Sequence, residues 1–188
     1  MTSQHREPVT RDRIIDAALH IVDGQGLGRL TMRRLGDALE VEAMAIYHHL
    51  PRGKEELLDG LVAHVAVHPL SVAAAGEWQD RLRGWAAGYR ERLLEHSGVL
   101  PLLVTRRNPA ALDATTASVQ EVLRRAGLRE ETAATGAHTL MGYLIGHAAL
   151  EARGRALSEA GGPGGAIVEW DLRFTGGLDV VLAGLAQS

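Results

Sequence analysis

The chain contains no cysteine among its 188 residues, and it has few aromatic side chains. The lack of cysteine excludes disulfides, thiolate metal sites and cysteine nucleophiles. Aromatic residues form only 4% of the sequence, so aliphatic side chains and alanine must build most of the core. Because alanine and leucine are strong helix formers, this composition favours an all-α protein over a β-sandwich.

Long apolar stretches are missing as well. The N-terminal stretch MTSQHREPVTRDR is polar and lacks the apolar region of a signal peptide. No uninterrupted stretch reaches the roughly 20 apolar residues that a membrane-spanning helix needs. The sequence therefore predicts no membrane association and a cytoplasmic location.

The chain has no excess of positive charge, since its formal net charge is −3. Residues 1–54 hold 8 Arg and Lys against 7 Asp and Glu, whereas the remainder holds 12 against 16. Total charge thus gives no sign of a nucleic-acid partner. Any contact with DNA must depend on where individual basic residues lie.

Catalytic signatures are also absent from the sequence. There is no His-Glu-x-x-His, and no histidine follows a glutamate by three residues, as a ferritin-like di-iron site requires. Gly53-Lys54 lacks the upstream glycine of a phosphate-binding loop, and no strand pattern precedes GQGLG. We therefore expect neither catalysis nor a cofactor.

Apolar residues recur at helical spacing along the chain, and glycine or proline marks the breaks. After a polar arm over residues 1–9, Thr10 and Thr31 are suited to cap the first two helices. The predicted helices of the head cover about 11–23, 32–39 and 42–49. Later helices are predicted over about 54–68, 78–96, 108–126, 130–153 and 168–185, with a short segment at 99–105, a start at Asn108-Pro109 and a flexible loop at SEAGGPGGA.

The second and third of these helices have the features of a helix-turn-helix. Their close crossing needs a small residue, which Gly36 supplies. The apolar set that such a pair requires is present at Leu35, Leu39, Val41 and Ile46. Spacing alone is also compatible with a three-helix packing unit that binds nothing, although it favours the helix-turn-helix.

The stretch LTMRRLGDALEVEAMAIYHHLPRGKEELLDGL resembles the DNA-binding head of the tetracycline-repressor (TetR) family. The resemblance lies in Leu30-Thr31, Leu39-Glu40-Val41, Ile46-Tyr47-His48-His49-Leu50 and Lys54-Glu55-Glu56-Leu57-Leu58. It implies an all-α protein with a helix-turn-helix head, residues 1–53, and a helical effector-binding and dimerisation domain, residues 54–188. It also implies a repressor that binds a palindromic operator as a homodimer and is released by a small organic effector.

Two features depart from the family pattern. Glu40 replaces the usual glycine of the turn, so either a non-glycine residue lies near left-handed geometry or the turn differs slightly from the family pattern. One extra residue lies between Tyr47 and Lys54, at the corner between the third and fourth helices.

The resemblance assigns roles on DNA residue by residue. Tyr47, His49 and Lys54 would contact the backbone, together with Thr31 at a helix N-terminus. Arg33, next to Met32, would reach the groove from the second helix. The remaining predicted DNA-binding residues lie on the third helix: Ala43, Met44, Ala45 and His48.

The third helix is unusually bare for a DNA-reading element. Ala43, Met44 and Ala45 cannot form bidentate hydrogen bonds, so their expected partners are thymine methyl groups. His48 could add a hydrogen bond to a base or a phosphate. Alternatively, the two alanines only allow close approach, and Arg33 supplies the direct readout.

Glycines in the long helix that begins at Glu130 predict close helix contact, because each costs about 1 kcal/mol against alanine. The resemblance implies that this helix and the last one pair with their copies as a four-helix bundle. The predicted interface residues are Gly142, Gly146, Leu178, Val181, Leu182 and Leu185. Packing within one chain is the alternative.

Aromatic residues of the body suit an effector pocket, which the resemblance implies. The predicted lining is Trp78, Trp85, Tyr89, Tyr143 and His147. An ordinary core stripe is the alternative. His64 and His68 have a spacing that can hold a metal, but no third ligand is evident near them, and a surface pair at a helix C-terminus is the preferred interpretation.

Three functional classes follow. The first is an effector-responsive repressor, and the second is a DNA-binding regulator without a small-molecule effector. The third is a helical small-molecule-binding protein or enzyme without specific DNA binding.

Overall fold

The computed structural model describes residues 8–72, 76–105, 110–160 and 169–187. Within these ranges the chain forms nine α-helices and no strands, so the all-α prediction is confirmed. The helices are α1 Arg11–Gln25, α2 Met32–Leu39, α3 Ala43–His49, α4 Lys54–Ala66, α5 Trp78–Glu95, α6 Leu100–Thr105, α7 Ala110–Arg125, α8 Glu130–Glu159 and α9 Trp170–Ala186. Short 3-10 turns cover Leu27–Arg29 and Ser97–Val99.

Both predicted N-caps of the head are confirmed. The Thr10 hydroxyl accepts a hydrogen bond from the Arg13 amide at 3.3 Å, and the Thr31 hydroxyl accepts one from the Arg34 amide at 3.1 Å. Each bond satisfies an amide that the first helical turn leaves without a backbone partner. These caps fix where α1 and α2 begin.

The turn between α2 and α3 adopts the first of the two predicted forms, with a non-glycine residue in left-handed geometry. Glu40 has φ 56° and ψ 38°, which is the left-handed geometry that glycine supplies more readily. The amide of Val41 then donates to the carbonyl of Gly36 at 3.0 Å. The helix-turn-helix thus closes with glutamate at the turn.

Gly36 is the point of closest approach between α2 and the turn into α3. A Cβ atom at this position would lie 2.8 Å from the carbonyl oxygen of Val41, which is backbone and cannot rotate away. We expect Gly36→Ala to lower the free energy of unfolding by about 1–3 kcal/mol.

A matched control for Gly36→Ala is Gly24→Ala in α1, because a Cβ there would meet no atom within 4 Å. It should raise stability by roughly 0.5–1 kcal/mol. Urea titration of both variants measures the difference. Equal effects of the two substitutions would contradict the close-crossing explanation.

The corner before α4 accommodates the extra residue with a glycine turn. Gly53 has φ 58° and ψ −128°, and its amide donates to the carbonyl of Leu50 at 2.8 Å. A Cβ on Gly53 would lie 2.7 Å from the Tyr47 ring. The predicted start of α4 at Lys54 is confirmed.

The head is joined to the body through α4 and through a contact at the end of α1. A Cβ at Gly98 would lie 2.7 Å from Val22 Cγ1, so the 3-10 turn after α5 packs directly on α1. Beside it, His96 Nδ1 lies 2.9 Å from Asp23 Oδ2. Both α1 and α4 therefore connect the head to the body.

The body is built around α8, which packs against α5, α7 and α9. Its predicted end at Arg153 is wrong, since the helix continues to Glu159. Gly154 does not interrupt it, because the Trp170 ring lies over this position, where a Cβ would collide with Trp170 Cζ2. The predicted helix start at Asn108-Pro109 and the part of the predicted arm before residue 8 lie outside the described residues. The predicted loop SEAGGPGGA is wrong at its start, since Ser158 and Glu159 belong to α8, and its residues from 161 onward lie outside the described residues.

Candidate DNA-binding, dimer and effector sites

The short helix α3 has a bare face, formed by Ala43, Met44 and Ala45, on the side directed toward solvent. Met44 is 69% exposed, although methionine is usually buried, and His48 and His49 are exposed beside it. Ala43 and Ala45 are half-buried, and Ile46 holds the opposite face in the core with no exposed surface. The helix is therefore anchored on one side and carries small or apolar side chains on the other.

Tyr47 stands at the end of α3 with its ring against Gly53 and 39% of its surface exposed. Lys54 is exposed at the start of α4. Arg52, which the sequence patterns did not single out, is held in the same corner by Asp59 at 3.0 Å. The extra residue of this corner therefore leaves both Tyr47 and Lys54 accessible.

The start of α2 adds a second group of accessible residues. Thr31 and Arg33 are exposed. Met32 is half-buried and packs against the core of the head, so it supports α2 from inside. Its predicted contact with DNA stays a prediction, made from the part of its side chain that remains exposed.

The predicted dimer face separates into two parts. Gly142 and Gly146 are exposed on α8, and a Cβ at either position would meet no atom within 4 Å. Leu178 and Leu182 on α9 are 3% and 0% exposed because they pack into the core of their own chain. The prediction that these two leucines face a second copy is wrong.

Val181 and Leu185 occupy an intermediate position on α9. Both are half-buried against the core, and a Cβ at Gly136 would lie 2.5 Å from Leu185 Cδ2. They also line an open groove of about 620 Å³ between α8 and α9, which Thr135 and Thr139 border. The outward apolar side chains of these two helices are Leu150, Leu157, Leu172 and Val180, which sequence periodicity had not separated from the inward ones.

The predicted effector residues fall into two aromatic clusters. Trp85 and Tyr89 stack on α5 with ring centres 5.2 Å apart, and His68, just after α4, stacks on Tyr89 at 5.7 Å. Tyr143 and His147 belong to a second cluster, in which Phe174 of α9 lies 6.1 Å and 5.3 Å from them. Trp78, at the start of α5, is half-buried against the core.

Tyr89 has the most unusual environment of these residues. Its side chain is fully buried, and its hydroxyl has no hydrogen-bond partner among the described residues. Burial raises the pKa of this hydroxyl far above its ordinary value, so it stays protonated and able to donate. A buried donor without a partner costs about 1–3 kcal/mol, which a bound acceptor would recover.

A buried ion network lies beside the second cluster, and sequence reasoning missed it. Arg90 Nε and Nη2 each donate to Glu151 at 2.8 Å, and Arg90 Nη2 also lies 2.6 Å from Asp171. Glu151 has no exposed surface, and Arg155 reaches it from the next turn of α8. Burial alone would raise the pKa of Glu151, but Arg90 and Arg155 hold it below its usual range.

His147 lies 3.4 Å from Glu151 without forming a hydrogen bond through Nε2. Burial lowers the pKa of His147, the Glu151 charge opposes this, and the Arg90 charge adds to the lowering. Neutral imidazole is therefore the favoured form beside this carboxylate.

The histidine pair at the end of α4 has no metal set around it. Burial lowers the pKa of both His64 and His68, and Arg92 adds to this effect. The His64 ring meets His96 edge-on at 5.8 Å, whereas His68 meets the aromatic stack of α5. In the part of the chain that the structure describes, no three potential metal ligands lie together.

Comparison with known proteins decides the family. Residues 14–61 match the family model "Bacterial regulatory proteins, tetR family", and residues 72–166 match "Tetracyclin repressor-like, C-terminal domain". The chain belongs to the TetR family. It is a transcriptional regulator of the helix-turn-helix type.

Relatives and solved structures agree with this TetR assignment. An HTH-type transcriptional regulator of Saccharopolyspora erythraea is 33% identical over 163 residues, which cover 85% of this chain and 68% of the relative. The class D tetracycline repressor protein of Escherichia coli is 37% identical over 91 residues, so the matched segment spans 47% of this chain and 41% of that repressor. The crystal structure of the Streptomyces coelicolor TetR family protein ActR in complex with actinorhodin superposes with a TM-score of 0.77, at 26% identity, covering 96% of this chain and 98% of ActR.

One further observation concerns membranes. Among the described residues, no helix is long and apolar enough to span a bilayer.

Proposed function

We propose that this TetR-family protein is a homodimeric, cytoplasmic repressor without catalytic activity, which binds a palindromic operator and is released by a small organic effector. The observation that carries the proposal is the exposed, uncharged face of α3, held rigidly by the buried Ile46 on its other side. An exposed methionine with no packing role suits a surface that presses against the edges of bases. Residues 1–53 form the DNA-binding unit of this proposal, and residues 54–188 form the effector-binding and dimerisation unit.

Contacts with the DNA backbone would surround the bare face of α3. Tyr47, His49 and Lys54 lie at its C-terminal end, and Thr31 lies at the start of α2, where the neighbouring Arg33 would reach the groove. Backbone contacts set the register, whereas Met44, with Ala43 and Ala45 beside it, meets the bases. His48 is exposed on the same turn and supplies a hydrogen bond to a base or a phosphate.

Met44→Ala tests the base-reading role directly. Loss of a methionine that contacts thymine methyl groups should change the preferred bases within the operator and weaken binding of the original operator about tenfold. Selection from random duplexes, followed by sequencing, measures the preference. An unchanged selected sequence would remove Met44 from base reading.

Tyr47→Phe is the matched control on the same helix, because it removes only the hydroxyl that would contact the DNA backbone. We expect it to weaken binding to all duplexes by a similar factor and to leave the preferred operator sequence unchanged. If Tyr47→Phe instead changed the preferred bases, Tyr47 would read bases and its assignment to the DNA backbone would be wrong.

The dimer would form through the outward face of α8 and α9. The exposed glycines Gly142 and Gly146 allow close approach of a second copy, and Leu150, Leu157 and Val180 supply apolar surface around them. Exposed apolar side chains grouped on two neighbouring helices are typical of a protein interface. A two-fold pair of heads would then place the two α3 helices one helical turn of DNA apart, about 34–36 Å.

The effector would bind in the body near the buried Tyr89 hydroxyl. A donor without a partner among the described residues and two rings that stack on Tyr89, those of Trp85 and His68, suit a planar organic molecule that carries an acceptor. His68 lies just beyond the end of α4, the helix that begins beside α3, so a ligand at this stack would act on the head. The other predicted pocket residues remain candidates for the outer wall of this effector site: Tyr143, His147 and Trp78.

The deciding experiment is a mobility-shift assay with duplex DNA from the upstream region of the protein's own gene. A retarded complex that competitor DNA of unrelated sequence does not remove supports the repressor. Failure at low salt, together with failure to select any site from random duplexes, would contradict specific DNA binding and favour the small-molecule-binding alternative. Addition of planar aromatic compounds to the complex then tests effector release.

A further inference from the structure

A concave surface on the head lies between the second half of α1 and the start of α2. It has a volume of about 750 Å³, and three of its lining residues are arginines, Arg29, Arg33 and Arg34. We propose that this concavity is a second backbone-binding surface, anchored by Arg29, that holds a DNA phosphate beside the half-site contacted by α3. The proposal rests on the proposed function and extends its DNA footprint beyond the helix-turn-helix.

Charge is the first argument. In the described ranges, salt bridges of arginine side chains involve residues outside this surface: Arg52, Arg83, Arg90, Arg124, Arg125 and Arg155. Asp37 is the one carboxylate that lines the concavity, and His20 and Gln25 add further polar groups from α1. A near-neutral head thus concentrates positive charge on one concave face, which is the arrangement that attracts a phosphate.

Rigidity is the second argument. The Arg29 amide donates to the carbonyl of Gly26 at 3.1 Å, and the Leu30 amide donates to the carbonyl of Leu27 at 3.1 Å. Leu30 is fully buried, so the residue next to Arg29 is fixed in the core. The exposed guanidinium of Arg29 therefore extends from an ordered turn, which reduces the entropy lost when it binds an anion.

Position is the third argument. Thr31 and Arg33 line the same concavity as Arg29. In the proposed function these two residues meet the DNA backbone and the groove at the N-terminal end of α2. A strand that passes them continues onto the surface of Arg29, and the planar guanidinium can donate two hydrogen bonds to one phosphate.

The test compares the full-length variants Arg29→Gln and Arg29→Lys with the wild type on the operator selected by the wild type. Fluorescence anisotropy over a series of potassium chloride concentrations measures the dependence of affinity on salt. Each lost phosphate contact reduces the slope by about 0.9, so Arg29→Gln in both protomers should reduce it by about two. Arg29→Lys should keep the wild-type slope, since it keeps the charge. Arg129→Gln, an exposed site at the start of α8, is the charge-matched control and should also leave the slope unchanged.

Several outcomes would overturn the inference. A wild-type slope for Arg29→Gln, with operator binding intact in the wild type, overturns it and leaves the proposed function standing. The same holds if Arg129→Gln loses as much slope as Arg29→Gln, because the loss would then follow the total charge and not the position of Arg29. If no selected operator exists but Arg29→Gln still lowers the salt slope on random duplex, the phosphate site stands and the specific repressor does not. Thermal unfolding of each variant separates these effects from loss of folding.

Discussion

Gly146→Glu should convert the protein into a monomer and weaken operator binding about 100-fold or more. Gly146 is exposed on α8, and a Cβ there meets no atom of its own chain within 4 Å, so the fold itself tolerates a side chain. In the proposed two-fold dimer, α8 of one copy lies closest to α8 of the other at this position. The two glutamate side chains would occupy that space and bring two carboxylates near each other. Two linked heads bind far more tightly than one, and that advantage disappears in the monomer.

Gly84→Glu in α5 is the matched control. Gly84 is also an exposed helix position where a Cβ would meet no atom within 4 Å, but α5 is not part of the proposed interface. Both variants lose one helix glycine and gain one negative charge. Analytical ultracentrifugation should show that Gly84→Glu is a dimer and Gly146→Glu a monomer. Fluorescence anisotropy should show that only Gly84→Glu keeps the operator affinity of the wild type. A dimeric Gly146→Glu variant would move the interface away from this part of α8.

Arg90→Ala should lower the free energy of unfolding by about 3 kcal/mol or more, because it leaves the Glu151 carboxylate buried without its bidentate partner. The side chain of Arg90 is 12% exposed and that of Glu151 is fully buried, and the variant would leave Glu151 with a single arginine contact, to the largely exposed Arg155, in place of the bidentate pair. For a chain of this size, the expected decrease in melting temperature is about 6–12 °C. Differential scanning calorimetry measures it.

Arg83→Ala gives the comparison for this prediction. Arg83 lies on the same helix and also pairs with a carboxylate of α9, Asp179, at 2.9 Å, but both side chains are largely exposed. Solvent screens such pairs, so the melting temperature should change little. If the two variants lost similar stability, burial of the Glu151 network would not explain the effect of Arg90.

The network also bears on the proposed release by an effector. Arg90 connects α5 to α8 through Glu151 and to α9 through Asp171, and its guanidinium lies 4.8 Å from the ring centre of Phe174. A ligand at the Tyr89 stack would contact the same helix, α5, one residue away in sequence. The network therefore gives a physical link by which a displacement of α5 could reach the helices of the proposed dimer face.

Local sequence patterns were sufficient for the head. The caps at Thr10 and Thr31, the small residue at Gly36 and the left-handed turn at Glu40 all depend on residues within one or two helical turns. The same holds for the start of α4, where Gly53 and Lys54 specify the corner. Hydrogen bonds between near neighbours decide these features, and near neighbours are visible in a sequence.

The body was harder to predict because its helices have apolar residues on more than one face. Periodicity placed Leu178 and Leu182 on one apolar face of α9, but it could not tell whether the same chain or a second copy would cover that face. The glycines of α8 raised the same question: Gly136 receives Leu185 and Gly154 receives Trp170, whereas Gly142 and Gly146 stay open. A glycine looks identical in each case until the neighbouring helix is placed.

The sequence by itself determined the class of the protein, the position of the helix-turn-helix and the bare character of α3. Only the tertiary structure decided which apolar residues remain outside, which aromatic residues meet, and that Glu151 lies in the core with Arg90. It also brought Arg29, Arg33 and Arg34 onto one concave surface. The physical reason is that caps and turns act over a few residues, whereas burial and charge pairing join residues such as Arg90 and Glu151, which are 61 positions apart in the chain.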